Sequence, residues 1–247
     1  MRLTIVNISK SITSSEFQTV VRAIRHQVTE DFSPIWKTTA ILRGTTRKIS
    51  NKAPIDGIHD ALIYLGESSQ DPDGGVADAY GYHSTNYSDI PFGFVYLDVC
   101  EKYGEKWSST LSHEVLELLA DPSASLTASG PNPHAQVAHS VSYDLEVCDP
   151  TQGDTYTIDD VEVSNFVSPT YFGKPGGPSA TNFLKLELKP FGVRPGGYFQ
   201  YEDAGKTHEV DGAKVTAARK AARQILGQYR RNDRRAQRLA GSHPAAR

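Results

Sequence analysis

The sequence lacks the features that would place it in a membrane or mark it for export. No run of about 18 apolar residues occurs among its 247 residues, so we expect no membrane-spanning helix. The amino-terminal stretch MRLTIVNISKS lacks the apolar segment and the small-residue cleavage site of a signal peptide. We therefore expect a protein of the cytoplasm, or one packaged in a particle, without a membrane partner.

Cysteine is also scarce. Cys100 and Cys148 could form at most one disulfide, and their spacing excludes a Cys-x-x-Cys zinc site or redox pair. This usage favours a reducing compartment. Cys148 is interpreted as a small buried residue rather than as a thiolate ligand or nucleophile. What is present is ordinary for a globular protein: 38% of the residues are hydrophobic and 9% aromatic.

Charge is distributed unevenly along the chain. From Ala213 to the last residue there are ten Lys or Arg residues and one acidic residue, Asp233, which gives this segment a net charge of +9. Because the whole chain carries -3, the preceding part carries -12. Apolar residues recur at helical spacing in the basic segment. We predict one domain over residues 1–210 and a basic amphipathic helical tail over 211–247.

Three partners fit the basic tail. It could bind a polyanion such as a nucleic-acid backbone, or an acidic protein partner within an assembly. It could equally contact the acidic body of its own chain. The tail matches no named nucleic-acid-binding module, so the sequence leaves these alternatives open.

The first third of the chain predicts alternating strands and helices. Residues 3–8 (LTIVNI) have strand character, and Thr13 with Glu16 forms the capping box that begins a helix. We expect Pro34 to end that helix. The stretches IWKTTAILRG, ALIYLG and FGFVYLDVC read as further strands. This order predicts an α/β (α+β) fold with a mixed sheet covered by a helix.

The rest of the chain is less regular. Residues 67–92, rich in Gly, Asp, Ser and Asn, are predicted to be a long loop. His83 lies in this segment and is interpreted as a loop histidine, with a substrate-contacting or ligand role as the alternative. Beyond residue 122 another loop is expected, then short strands in VSYDLEVCD and YTIDDVEVSNFV within an irregular carboxy-terminal half.

The stretch LSHEVLELLADP, residues 111–122, predicts the helix that carries chemistry. On an ideal helix of about 100° per residue, Glu117, Asp121 and Glu114 lie about 40°, 80° and 100° from His113. The opposite side is apolar. One face therefore holds a histidine and three carboxylates.

Like charges on this face need compensation. After Lys106 no Lys or Arg follows before the helix ends, although surface helices usually pair their acidic residues with cations. A divalent metal ion would neutralise the carboxylates and takes both imidazole nitrogen and carboxylate oxygen. The alternative interpretation is a solvated acidic helix end on which His113 is an ordinary surface residue.

The residues SHEVLELLAD resemble the active-site helix of zincin metallopeptidases, whose His-Glu-x-x-His motif supplies two zinc ligands and a glutamate base. The resemblance covers about residues 1–150. More narrowly, the chain is similar to uncharacterised bacterial and phage proteins that pair a His-Glu-x-x-Glu helix ending in Asp-Pro with a downstream acidic motif, here YDLEVCDP. The resemblance implies that His113 is the first ligand, Glu114 the base and Glu117 the residue at the second-ligand position.

The third ligand implied by the resemblance lies downstream. Glu146 is the first choice and Asp149 the second, while Asp121 is a further ligand or a residue that supports one. Zinc is the metal of this family, and the two carboxylates of such a set suit a harder ion such as manganese or calcium as well.

The sequence supports two main functions. The first is a metal-dependent hydrolase, most simply a peptidase acting on a peptide or protein. The second is a non-catalytic structural or interaction protein, such as a virion component, that keeps a degenerate site and uses its tail for assembly. A nucleic-acid-associated protein is the third.

Overall fold

The computed structural model describes residues 1–47, 60–70, 81–85, 90–134, 139–217 and 220. Its strands are β1 (Arg2–Asn7), β2 (Ile41–Thr46), β3 (Ala61–Gly66), β4 (Gly81–Thr85), β5 (Pro91–Tyr96), β6 (Thr127–Pro131), β7 (Ser140–Asp144), β8 (Thr155–Ile158), β9 (Val161–Ser164), β10 (Tyr198–Asp203) and β11 (Lys206–Asp211). Its α-helices are α1 (Ser14–His26), α2 (Ser33–Trp36), α3 (Leu97–Tyr103) and α4 (Trp107–Ala120). A π-helical segment, Gln27–Phe32, joins α1 to α2, and short 3-10 helices cover Asp149–Thr151 and Pro169–Phe172.

The main sheet has five strands in the order β2-β1-β3-β5-β4. Four of them are parallel, and β4 pairs antiparallel with β5 at the edge. Strand β1 is buried over all but its first residue, as expected of a central strand covered on both faces. Helix α4 packs against β4, β5 and β9, so the edge strand and the central helix face each other.

The carboxy-terminal half adds two antiparallel sheets. One has the order β11-β10-β7-β6, and the other is the β8–β9 hairpin that packs on α4. Between Asn165 and Gly197 the chain is mostly turns and bends, in agreement with the irregular carboxy-terminal half predicted from the sequence. The predicted α/β (α+β) fold class is therefore confirmed.

The first helix departs from its prediction at Pro34. The capping box is present, because the Thr13 side chain accepts a hydrogen bond from the Glu16 backbone at 3.2 Å. The helical path, however, continues through Trp36 and ends at Lys37, which has a left-handed φ of 54°. Pro34 is accommodated in the first turn of α2, where a missing backbone N–H costs little.

Two predicted loops contain strands. Strand β4 lies inside the segment 67–92, and β6 lies inside the segment predicted as a loop after residue 122. Both acquire strand structure by pairing with a neighbour, β4 with β5 and β6 with β7. The stretch FGFVYLDVC is divided, since its last four residues begin α3.

The last strand, β11, ends at Asp211, close to the predicted start of the basic tail. The predicted basic helical tail, 211–247, lies outside the described residues except for 211–217 and 220. Among the helices of the described ranges, none is both long and apolar enough to cross a membrane.

Candidate metal centre

Helix α4 is fixed in place by serine hydroxyls that contact the β8–β9 hairpin. The Ser108 hydroxyl donates to the backbone carbonyl of Glu162 at 2.8 Å, and the Ser112 hydroxyl accepts from the backbone N–H of Ser164 at 2.7 Å. The helix ends where predicted, at Asp121 before Pro122. These contacts set the rotation of α4 and hence the direction of its acidic face.

The acidic face of α4 is buried. The exposed fractions are 8% for His113, 6% for Glu114 and 4% for Glu117. Carboxylates are almost never buried to this extent unless they are paired or bind a metal. The interpretation of α4 as a solvated acidic helix with a surface histidine is therefore wrong.

His113 is the centre of one ligand group. Its Nε2 atom lies 3.2 Å from Glu117 Oε2 and 3.3 Å from Asp149 Oδ1. Asp149 begins a 3-10 helix and is 4% exposed. The other oxygen of Glu117 accepts a hydrogen bond from the backbone N–H of Cys148 at 3.1 Å, which orients the carboxylate. Two carboxylate oxygens, from Glu117 and Asp149, thus approach the same ring nitrogen.

A second group also includes Glu117. His83, on the edge strand β4, is 6% exposed, and its Nδ1 atom lies 3.7 Å from Glu114 Oε2. Ligand atoms of His83, Glu114 and Glu117 all lie within 4.8 Å of one another. The interpretation of His83 as a loop histidine is wrong, because strand pairing with β5 brings it against α4.

Two other predicted residues occupy supporting positions. Asp121 is fully buried, and its carboxylate accepts hydrogen bonds from the Leu126 backbone at 2.7 Å and the Ser123 hydroxyl at 3.2 Å. It holds the turn that follows α4. Glu146 is half-buried and belongs to neither ligand group, but its charge acts on both His83 and Glu117. The structure therefore brings Asp149, rather than Glu146, into contact with His113.

Cys148 is fully buried, as predicted. Its sulfur, together with His113 and Glu117, forms the other group whose ligand atoms lie within 4.8 Å of one another. Burial raises the pKa of the Cys148 thiol well above its usual value. The sulfur therefore lies close enough to His113 and Glu117 to serve as a further donor if a metal displaces its proton.

Gly81 allows strand β4 to approach Glu114 closely. A Cβ atom at this position would lie 2.5 Å from Glu114 Oε1 and 2.8 Å from its Cγ. Substitution must therefore displace the Glu114 side chain or the edge strand. We expect Gly81→Ala to lower the free energy of unfolding by about 1–3 kcal/mol, and to weaken any activity that depends on Glu114, as measured by denaturant unfolding and by assay.

Gly66 provides the matched control for Gly81. It ends β3 in the same sheet, and a Cβ atom there would meet nothing closer than 3.6 Å, an ordinary contact distance. Gly66→Ala should leave both the free energy of unfolding and the Glu114-dependent activity nearly unchanged. Equal effects of the two substitutions would show that the close approach of β4 to Glu114 is unimportant.

The ionisable groups of the site shift one another. Burial lowers the pKa of His83, but the neighbouring carboxylates, first that of Glu114, outweigh burial and raise the pKa to about 9. Burial also opposes protonation of His113, yet Glu117 and Asp149 raise its pKa well above 6.5. For Glu117, burial is the largest cause and raises the pKa to about 8, with the charge of Asp149 adding to the rise. Without a metal, the site therefore holds protons.

This gives a prediction for the metal-free protein. His83, His113 and Glu117 bind protons more tightly in the folded protein than in the unfolded chain. The stability that this binding contributes is complete below their unfolded pKa values, which are 4.5 for Glu117 and 6.5 for the histidines. That stability is lost as pH rises through the folded values of about 8 and about 9. We expect the free energy of unfolding in chelator to fall by on the order of a few kcal/mol between about pH 5 and 9.

Saturating metal should reverse this trend. Metal ligands must be deprotonated, so the stabilisation by Zn²⁺ should grow as pH rises. Melting temperatures measured across this range, with chelator and with Zn²⁺, test both trends. A metal-free protein whose stability is flat or rises from about pH 5 to 9 would contradict the proton occupancy of the site.

The donors present fit a divalent metal ion. Imidazole nitrogen with carboxylate oxygen is the ligand chemistry of zinc and manganese sites. The distances of 3.2 and 3.3 Å from His113 Nε2 to the Glu117 and Asp149 oxygens each fit a pair of ligands on one ion, which lie roughly 3.0–3.7 Å apart. Glu114 Oε2 is buried and accepts no hydrogen bond within the described chain. The adjoining cleft has a volume of about 50 Å³ and no Lys or Arg among its described lining residues.

Comparison with known proteins identifies no relative of this chain. The chain matches no protein-family model, no curated protein and no solved structure. The function must therefore be argued from the cluster itself.

The cluster could be predicted in part. His113, Glu114 and Glu117 are adjacent on one helix, so helical periodicity brings them together. Asp149 follows from the downstream acidic motif. His83 could not be found in this way, because its segment is rich in loop-forming residues and becomes a strand only through pairing with β5. Its one signal was its position shortly before the last strand ahead of α4.

Proposed function

We propose that this protein is a metal-dependent hydrolase whose ion is held by His113, Glu117 and Asp149. The observation that carries the proposal is the contact of His113 Nε2 with two buried carboxylates, at 3.2 Å from Glu117 Oε2 and 3.3 Å from Asp149 Oδ1, beside a cleft. When bound, a divalent ion supplies a Lewis acid that activates water and polarises a carbonyl oxygen. The ion is zinc or a harder ion such as manganese or calcium, since two of the three ligands are carboxylates.

Glu114 is the general base in this proposal. Its carboxylate is adjacent in sequence to His113, lines the same cleft and has a buried Oε2 atom that accepts no hydrogen bond within the described chain. A carboxylate in this state can take a proton from water and deliver it to the leaving group. Burial in a cleft with little bulk water strengthens its interaction with that proton.

Two other groups position these residues. The Cys148 backbone N–H fixes one oxygen of Glu117, leaving the other directed at His113. The Asp149 side chain is held by its 3-10 helix, against which Gly197 packs closely. Such supporting contacts keep ligands in the orientation that an ion requires.

A peptide is the proposed substrate class. The support is the resemblance of SHEVLELLAD to the zincin active-site helix, together with the chemistry of a Lewis acid and a carboxylate base, which suits amide hydrolysis. The more anionic ligand set distinguishes this site from one with two histidines on the helix. It should lower the positive charge at the ion, and with it the rate of water activation.

Metal dependence of hydrolysis tests the proposal. Protein loaded with Zn²⁺ or Mn²⁺ is incubated with a broad peptide library, and cleavage is followed by mass spectrometry. We expect cleavage that stops on chelation and returns when metal is added back. His113→Ala, prepared identically, controls for contaminating peptidases. Absence of cleavage by the loaded protein, or equal cleavage by His113→Ala, would reject the proposed activity.

A further inference from the structure

We infer that a second divalent cation binds between His83, Glu114 and Glu117, next to the ion held by His113, with Glu117 shared by both positions. The inference rests on the proposed metal site and adds a ligand, His83, from the edge strand of the main sheet. With the second ion bound, Glu114 is a ligand, so its proposed role as base belongs to the protein that holds one ion. Four observations carry it: the orientation of His83, the state of Glu114, the charge of the cluster and the position of Glu117 between the two groups.

The ring of His83 is oriented with one nitrogen towards Asp121 and the other towards Glu114. Its Nε2 atom lies 3.2 Å from the backbone carbonyl oxygen of Asp121, which can only accept, so Nε2 carries the proton. In the neutral ring, Nδ1 then has a lone pair directed towards Glu114. Metal-binding histidines commonly donate their other N–H to a backbone carbonyl in this way.

The separation between His83 and Glu114 fits two ligands of one ion. At 3.7 Å, Nδ1 and Oε2 are too far apart for a good hydrogen bond, which spans about 2.7–3.2 Å. Two ligands at about 2.1 Å from one ion, by contrast, lie roughly 3.0–3.7 Å from each other. Glu117 supplies the third ligand atom, and all three lie within 4.8 Å of one another.

Glu114 is directed into this position and is not neutralised by hydrogen bonds at its Oε2 atom. The residue is 6% exposed, and Oε2 accepts no hydrogen bond within the described part of the chain. Gly81 covers the carboxylate so closely that a Cβ atom would collide with it. Leaving a buried charged oxygen without a hydrogen bond is costly, and a cation removes that cost.

The charge of the cluster favours two ions over one. Glu114, Glu117, Asp149 and Glu146 carry four negative charges when ionised, while a ligating imidazole is neutral. One divalent cation cancels two of these charges and a second cancels the other two. Glu146 contributes to this balance without direct ligation, since its charge acts on both His83 and Glu117.

Glu117 makes the two positions neighbours. Its Oε2 atom faces His113, and the same carboxylate belongs to the group around His83. A carboxylate shared by two ions is the usual arrangement in two-metal hydrolytic sites, where the ions lie about 3.5–4 Å apart. Two Mn²⁺ ions at this distance couple magnetically, which separates them from two independent ions.

Counting bound Mn²⁺ tests the inference. The protein, freed of metal by chelation, is dialysed against Mn²⁺. Bound metal is then measured by elemental analysis, and the electron paramagnetic resonance spectrum is recorded. We expect two equivalents and a coupled spectrum for the unaltered protein. His83→Ala should bind one equivalent and give the six-line spectrum of isolated Mn²⁺. His26→Ala, which removes an exposed histidine at the end of α1, should retain two.

Each outcome decides between the proposals. One equivalent in the unaltered protein overturns the second position and leaves the proposed hydrolase site standing, whereas no bound metal overturns both. Two equivalents in both the unaltered protein and His83→Ala overturn the assignment of His83, as do two equivalents with uncoupled spectra. His83→Gln, which keeps more of the buried volume, replaces His83→Ala if the latter fails to fold. The count on the unaltered protein decides the number of ions in either case.

Discussion

Glu114→Gln is expected to reduce peptide hydrolysis by about 10²–10⁴-fold, because the amide cannot accept the proton that the carboxylate takes from water. The shape of the side chain is kept, so the close contact with Gly81 is preserved. The ion held by His113, Glu117 and Asp149 should stay bound. The measurements are kcat/KM on a peptide that the unaltered protein cleaves and the metal content of the same samples.

Glu101→Gln is the matched control for this prediction. Glu101 lies on α3 and is exposed, so the same chemical change there alters net charge equally without touching the cleft. Its activity should equal that of the unaltered protein. If Glu114→Gln retains full activity while its metal is bound, Glu114 is not the base, even if the metal site itself is correct.

Glu117→Gln should weaken divalent metal binding by more than about 100-fold. Changes to residues that only support metal ligands already cost about 10–100-fold in affinity, and Glu117 is proposed as a ligand at both positions. The glutamine oxygen can still accept from the Cys148 backbone, so the fold around it is kept. Titration calorimetry with Zn²⁺ or Mn²⁺ gives the affinity directly.

The same substitution should stabilise the metal-free protein at alkaline pH. Burial disfavours the charged form of Glu117 and raises its pKa to about 8, so removing the charge removes a cost of folding above that pH. Weaker metal binding together with higher metal-free stability would show that Glu117 serves metal binding at a cost to the stability of the metal-free fold. Unchanged affinity would mean that the ion is held elsewhere.

Much of the site follows from helical periodicity. The 3.6-residue repeat places His113, Glu114 and Glu117 on one side of α4 whatever the tertiary structure, and Pro122 disfavours helix at Asp121. The strand ALIYLG is found at its predicted bounds because its central residues, Leu62 to Leu65, are apolar or aromatic. These are local properties of the chain.

The features that could not be predicted depend on contacts distant in sequence. Periodicity indicates which side chains share a face, but not that the acidic face is buried or that His83 of β4 lies against Glu114. The choice between Asp149 and Glu146 depends on the 3-10 turn that directs Asp149 at His113. His83 reaches the cluster only because an edge strand with weak strand propensity pairs with β5.

The burial of the cluster restricts the charge states that its carboxylates can adopt. A surface group of carboxylates would be screened by water and could be tolerated without a ligand. Buried carboxylates must be protonated, paired or bound to cations. In this protein, protons fill that role without metal, which is why metal affinity and pH-dependent stability are expected to change together.

The measurement that most directly tests the metal centre is elemental analysis of the purified protein, combined with its melting temperature before and after chelation. The account predicts at least one equivalent of a divalent metal per chain at about pH 8, and a melting temperature that falls on chelation and recovers when Zn²⁺ or Mn²⁺ is restored. No bound metal after exposure to these ions, together with a melting temperature that chelation does not change, would contradict it.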